Sequence, residues 1–242
     1  MNPGPIYIYK CPNCENLLKN RTLMSGNTSG AHYYSDAYIK AEMLPEYPNL
    51  TKCKKCNTIF WLYKLRNIAS LSWLDENNKK WANSDWAEFL TIDDYFVAIT
   101  NGIAQNRREE LFIRQHLWWA YNDRNRKYQD IFIDGNDEMR WEMNLKVLLT
   151  SLNYSDVYQR LLMAEINRNL GDFENCKRII QSIEADDLNW LKIQFVKECE
   201  RKNKWVIKLS YDDMIDAPNF KVIDSELQTY AAFYQSIKVF LF

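Results

Sequence analysis

Two Cys-x-x-Cys pairs constrain this chain more than any other feature. Cys11 and Cys14 form the first, Cys53 and Cys56 the second, with 38 residues between Cys14 and Cys53. Each hook offers two sulfurs from one tight turn, and two hooks together supply the four ligands that a tetrahedral zinc ion takes. A single pair would leave a disulfide switch open as a rival chemistry. Two pairs, each beside a β-branched and aromatic stretch (residues 6–9 and 58–63), favour metal. Four cysteine ligands close the coordination shell, so the expected Zn2+ is structural and performs no catalysis.

The residues after each pair differ. A left-handed backbone usually follows the second cysteine of such a knuckle, where Gly is at home; here Glu15 and Asn57 stand there. Asn tolerates that conformation and Glu resists it, so the second knuckle reads as the more regular. Between the knuckles, residues 20–49 carry SGNTSG, AHYYSDA and MLPEYPNL, punctuated by Gly26, Gly30, Pro45 and Pro48. This insert reads as a functional surface or an extra hairpin. The structural reading is favoured because ribbons commonly lengthen between knuckles, with Tyr33, Tyr34 and Tyr47 able to pack back.

Residues 66–91 read as a join, and from Asp93 onward the apolar period becomes helical. Helices are expected over 93–103, from a cap at Asn106 to about 125, over 137–152, over 157–170 capped by Ser155, over 173–183 and over 187–202. Paired acids at 93–94, 186–187 and 212–213 read as caps or turns. Short connections between helices of this length describe antiparallel helix pairs. Residues 205–209 read as a strand or as the end of the last helix. Beyond them come a turn at 216–219, a short helix over 225–237 and the apolar ending VFLF, which must dock to stay in water.

The net charge of −1 gives no global attraction to nucleic acid or anionic membranes. No apolar run is long enough to span a bilayer, and no basic start followed by an apolar core marks a secretory signal. Four metal thiolates plus free Cys176 and Cys199 suit a reducing compartment, so a cytoplasmic protein is expected. Through Arg66 the chain holds nine Lys and Arg against four Asp and Glu, a mild positive bias. Lys52, Lys54 and Lys55 beside Phe60, Trp61 and Tyr63 make a nucleic-acid surface the alternative function. Catalytic groups are thin. His32 lies near Ser35 and Asp36, but neighbours in one loop rarely reach triad geometry, and His116 reads as a helix-face residue. No catalytic and no cofactor-binding residue is assigned, and an enzyme is not expected.

Residues 161–183, LLMAEINRNLGDFENCKRIIQSI, resemble one tetratricopeptide unit. Ala164 stands at the close-approach place, Gly171 at the turn, Phe173 between the helices, and Cys176 where Ala is usual. The series YKCPNC, SGNT, SDA, MLPEYP and KCKKCNTIFWL resembles the N-terminal region of a group of uncharacterised bacterial proteins. Those place a four-cysteine zinc ribbon ahead of a tetratricopeptide-like helical region. The resemblance covers the first ~65 residues and the 161–183 unit. It implies architecture and zinc, and no reaction. The expected fold is α+β, mostly α: a zinc ribbon over 1–68, a helical-hairpin domain over 69–203, and a C-terminal extension over 204–242 docked on it. The expected function is a zinc-binding scaffold with a protein partner.

Overall fold

The computed structural model describes residues 1–75, 79–185 and 188–209. It is a mixed α/β chain of small sheets and, among the described residues, six α-helices. Two compact units are present: residues 1–31 with 40–104, and residues 32–39 with those from 105 onward.

The first unit is built from hairpins. Strand β2 (Ile6–Lys10) turns through Cys11–Cys14 into β3 (Leu17–Asn20), with Tyr9 opposite Leu18. Strand β7 (Leu50–Lys52) turns through Cys53–Cys56 into β8 (Ile59–Trp61), with Thr51 opposite Phe60. The run expected as one strand over 58–63 therefore stops at Trp61 and tightens into a 3-10 turn over Leu62–Lys64.

The join is no linker. Strand β9 (Ala69–Leu71) pairs antiparallel with β2, and β10 (Asp85–Trp86) pairs parallel with β3, completing a four-stranded sheet. The break expected near residue 68 would cut this sheet; the compact unit runs on to residue 104. Alternation along β2 buries Ile6 and Ile8 on one face, as a half-buried strand requires. A short pair, β1 (Asn2–Pro3) with β4 (Leu23–Ser25), closes the amino end. Helix α1 (Ile92–Thr100) starts from a full capping box in which the Thr91 side chain accepts from Asp94 N and Asp94 reaches back to Thr91 N.

The second unit is helical. It contains α2 (Arg107–Arg126), α3 (Gly135–Thr150), α4 (Val157–Asn169), α5 (Phe173–Gln181) and α6 (Asn189–Glu200). Asn106, Asp134 and Asp172 cap α2, α3 and α5 through side-chain oxygens. At α4 the cap is Asp156, whose carboxylate accepts from Gln159 N at 2.9 Å, and not the expected Ser155. Consecutive helices pack, α2 on α3, α4 on α5 and α5 on α6. In the 161–183 stretch Ala164, Cys176 and Ile180 are fully buried and Gly171 turns with a φ of +82°.

This unit also takes in residues 32–39 from the inter-knuckle insert. There β5 (His32–Tyr34) pairs antiparallel with β11 (Lys208–Leu209), so of the stretch 205–209 the last two residues form a strand, and the last helix has already ended at Glu200. The chain then leaves through β6 (Ile39–Lys40). The acid pairs at 186–187 and 212–213, the turn at 216–219, the helix over 225–237 and VFLF lie outside the described residues.

Candidate metal centre

The tips of the two cysteine hairpins share one local geometry. Cys11 N donates to Asn16 O at 2.8 Å and Glu15 N to Cys11 O at 3.0 Å. Cys53 N donates to Thr58 O at 2.9 Å and Asn57 N to Cys53 O at 2.8 Å. Both residues after the second cysteine are left-handed, Glu15 with φ 56° and Asn57 with φ 59°. The two knuckles are thus equally regular in backbone, where the sequence reads the second as the more regular: Glu15 takes the left-handed conformation as Asn57 does.

The hairpins bring Cys11, Cys14, Cys53 and Cys56 together, with all four Sγ atoms within 4.8 Å of one another. Cys11 Sγ lies 3.5 Å from Cys56 Sγ, and Cys14 Sγ 3.6 Å from Cys53 Sγ. Four sulfurs at the usual ~2.3 Å bond length around a tetrahedral ion would stand about 3.8 Å apart. The observed spacing is compatible with such an ion. These two contacts cross from one knuckle to the other, as a shared ion requires and a redox pair inside one knuckle does not. Among the described residues this is the one group of three or more His, Cys, Asp or Glu side chains able to hold a metal.

Charge at the site argues in the same direction. Thr58 hydrogen-bonds Cys56 through its side chain and its backbone N–H, and lowers that thiol to about 6. At Cys14 the Asn16 N–H opposes burial and the hydrogen bonds of the other three thiols, which together push it up to about 12. Burial likewise raises Cys11. A cation bound among the four sulfurs would favour their thiolate forms. Beneath the sulfurs, Cys11 and Cys53 join Leu18, Phe60 and Leu62 in an apolar cluster flanked by Tyr9 and Leu65, which keeps water from the inner side.

The basic and aromatic residues beside the second knuckle are engaged in part, while Lys55 and Tyr63 are exposed. Lys52 Nζ sits 2.7 Å from Asp94 Oδ1 and Lys54 Nζ 2.6 Å from Glu88 Oε1. Phe60 and Trp61 are buried. Of the three rings, Tyr63 alone is open to solvent for stacking.

The insert residues SDA are gripped inside the helical unit. Ser35 Oγ donates to Glu165 Oε1 at 2.8 Å and accepts from Arg168 Nη2 at 3.2 Å and Ile207 N at 3.1 Å. The Asp36 carboxylate, wholly buried, accepts from Arg126 and from Asn122 Nδ2 at 2.8 Å, while Trp119 Nε1 reaches Asp36 O at 3.0 Å. The Arg126 guanidinium also stacks 4.6 Å from the Tyr34 ring centre and 4.4 Å from that of Tyr38. Ser35 and Asp36 are therefore committed to anchoring. His32 is exposed, and His116 is buried on Phe112 with Nδ1 2.9 Å from Phe112 O, so no triad forms from these residues. Arg126 and Arg168 are the residues that sequence reasoning missed; a charged side chain on a buried helix face leaves no periodic signal.

Compared with family models, with curated proteins and with solved structures, the chain matches none. Among the described residues, no helix is long and apolar enough to cross a membrane.

Proposed function

We propose that this protein is a non-enzymatic scaffold whose N-terminal unit is a zinc ribbon held by Cys11, Cys14, Cys53 and Cys56. The carrying observation is the mutual approach of the four Sγ atoms from two matched knuckles. Among the common divalent ions a four-sulfur tetrahedral set favours zinc, which has no geometric preference to frustrate and takes thiolates well. Four protein ligands leave the ion no open position, so it supplies folding energy and not reactivity. The resemblance to bacterial ribbon proteins with tetratricopeptide-like helices points the same way, as do the packed α4–α5 and α5–α6 pairs. Six unpaired thiols suit a reducing, cytoplasmic setting.

For the helical unit the proposed role is to hold a protein partner. What supports it is a row at i, i+4, i+8 on α3, where Met139, Met143 and Val147 are exposed. Native mass spectrometry of the chain purified without added metal or chelator tests the metal reading. One zinc per chain is the expected result; a metal-free chain carrying disulfides between the knuckle cysteines would overturn it.

A further inference from the structure

Helix α3 leaves an apolar row open to solvent. Met139 is 57% exposed, Met143 62% and Val147 36%, one above the other along a single side of the helix. The opposite side buries Trp141, Leu145 and Leu148. From Met139 to Val147 the row runs about 12 Å at the helical rise.

The chain passes this helix on its way out. Lys204 Nζ stands 3.4 Å from Glu138 Oε1 in the first turn of α3. The Trp205 ring centre lies 6.3 Å from that of Trp141 and 6.0 Å from that of Phe132, just ahead of the helix. Beyond Leu209 the sequence continues through residues 210–242, and its last stretch reads SELQTYAAFYQSIKVFLF. There Leu227, Tyr230, Ala231, Tyr234, Ile237 and Leu241 recur at helical spacing, with polar residues between the first four.

We propose that residues 225–242 of this chain are the occupant of the Met139, Met143 and Val147 row, laid along α3 as an amphipathic helix. The inference rests on the reading of that row as a docking surface and adds its regulation. The segment covers the row in the unbound protein, and a partner reaches it only by displacing the segment.

Reach, fit and need all favour this occupant. Residues 210–224 span up to ~50 Å when extended, about twice the ~24 Å length of α3, so the segment reaches the row in either direction. Leu227 to Tyr234 covers about 10 Å of helix, close to the length of the row. The thioethers of Met139 and Met143 pack well against aromatic rings, which Tyr230 and Tyr234 bring. The stripe and the VFLF ending are too apolar to stand bare in water. A tethered segment also meets the row at an effective concentration in the millimolar range, an advantage that a second copy of the chain lacks.

Hydrogen–deuterium exchange of the full chain, read by mass spectrometry on peptides from 225–242, tests the proposal. In the wild type these amides should exchange at least ~10-fold slower than in a free synthetic peptide of the same sequence. Met143→Asp should return them to the free-peptide rate while α2 and α4 keep their protection. Ile193→Asp, at an exposed apolar position on α6, should leave the segment protected. Should Met143→Asp not fold, Tyr234→Asp gives the same loss from the other side of the contact. A segment that exchanges freely in the wild type would overturn the proposal, as would protection that survives Met143→Asp or Tyr234→Asp. Protection that grows with protein concentration would give the row to a second copy and overturn it too. Such a failure leaves the row bare for a separate partner, whereas failure of the partner reading would leave the protection unchanged.

Discussion

Glu15 and Asn57 occupy the same place in their two knuckles and share one left-handed backbone, φ 56° and 59°. For Asn that conformation is tolerated. For Glu it costs about 1–2 kcal/mol, because Cβ crowds the carbonyl oxygen. An exposed ion pair to Lys10 Nζ at 3.0 Å returns under ~1 kcal/mol of this. Glu15→Gly therefore stabilises the first unit by a net ~0.5–1 kcal/mol, after Gly's larger chain entropy is counted. Asn57→Gly is close to neutral. Thermal melts of the two variants check the asymmetry; equal shifts would refute it.

Loss of one buried ligand has a far larger effect. Cys53 Sγ is wholly buried and belongs both to the metal set and to the apolar cluster beneath it. With structural zinc supplying on the order of 10 kcal/mol in small domains, Cys53→Ser should abolish zinc retention and unfold the first unit. Zinc stoichiometry and strand signal in circular dichroism report both. A metal-free variant with an unchanged melting profile would remove the structural role.

The pH dependence of metal retention follows from Thr58. Its hydrogen bonds hold Cys56 below the ordinary thiol range, at about 6. A lowered thiol keeps its negative charge, and so its hold on a cation, as pH falls toward that value; protons win below it. Zinc should be retained at neutral pH and released on acidification. Thr58→Val removes the hydroxyl, raises the thiol and lets protons win at a higher pH. An outer-shell loss of this kind costs roughly 10-fold in metal affinity. A chromophoric chelator following zinc release against pH measures the midpoint, and an unmoved midpoint in the variant would show that Thr58 does not act through Cys56.

Much of this was legible in the residues themselves. Two hooks flanked by β-branched and aromatic runs announce two hairpins, and Asn106 announces α2 two decades of residues ahead of its end at Arg126. Less was legible where partners are distant in sequence. Strands β9 and β10 are three and two residues long, too short to show alternation, and exist because β2 and β3 offer free edges. Ser155 and Asp156 are both good caps side by side, and only the structure shows which oxygen reaches Gln159 N. The placement of SDA within the helical unit depends on Arg126 and Arg168, far along the chain, and no local pattern marks that pairing.

At the turn into α5, Gly171 carries φ +82°, and a Cβ built there would meet nothing within 4 Å. Gly171→Ala thus isolates the backbone penalty from any steric clash. The expected destabilisation of the helical unit is about 1 kcal/mol, the ordinary cost of forcing a side chain into this region. Chemical denaturation followed by helical circular dichroism measures it. A loss above ~3 kcal/mol would mean that the α4–α5 turn repacks instead of merely straining.

The charge pair that anchors the insert to α2 comes next in cost after the metal ligands. Asp36 is fully buried against Arg126, which is itself only 7% exposed. Removing one partner strands the other charge: Asp36→Ala leaves a buried guanidinium with Asp123, which is more than a third exposed, as its remaining carboxylate. Breaking a buried pair in this way costs about 3–5 kcal/mol. Removing both charges relieves the desolvation, so Asp36→Ala with Arg126→Met should recover part of the loss, whereas two independent contacts would simply add. Unfolding of the wild type, both single variants and the double variant in denaturant completes the cycle. A double variant no more stable than Asp36→Ala would show that SDA is held by Asn122, Trp119 and the tyrosine stack, and not by the charge pair.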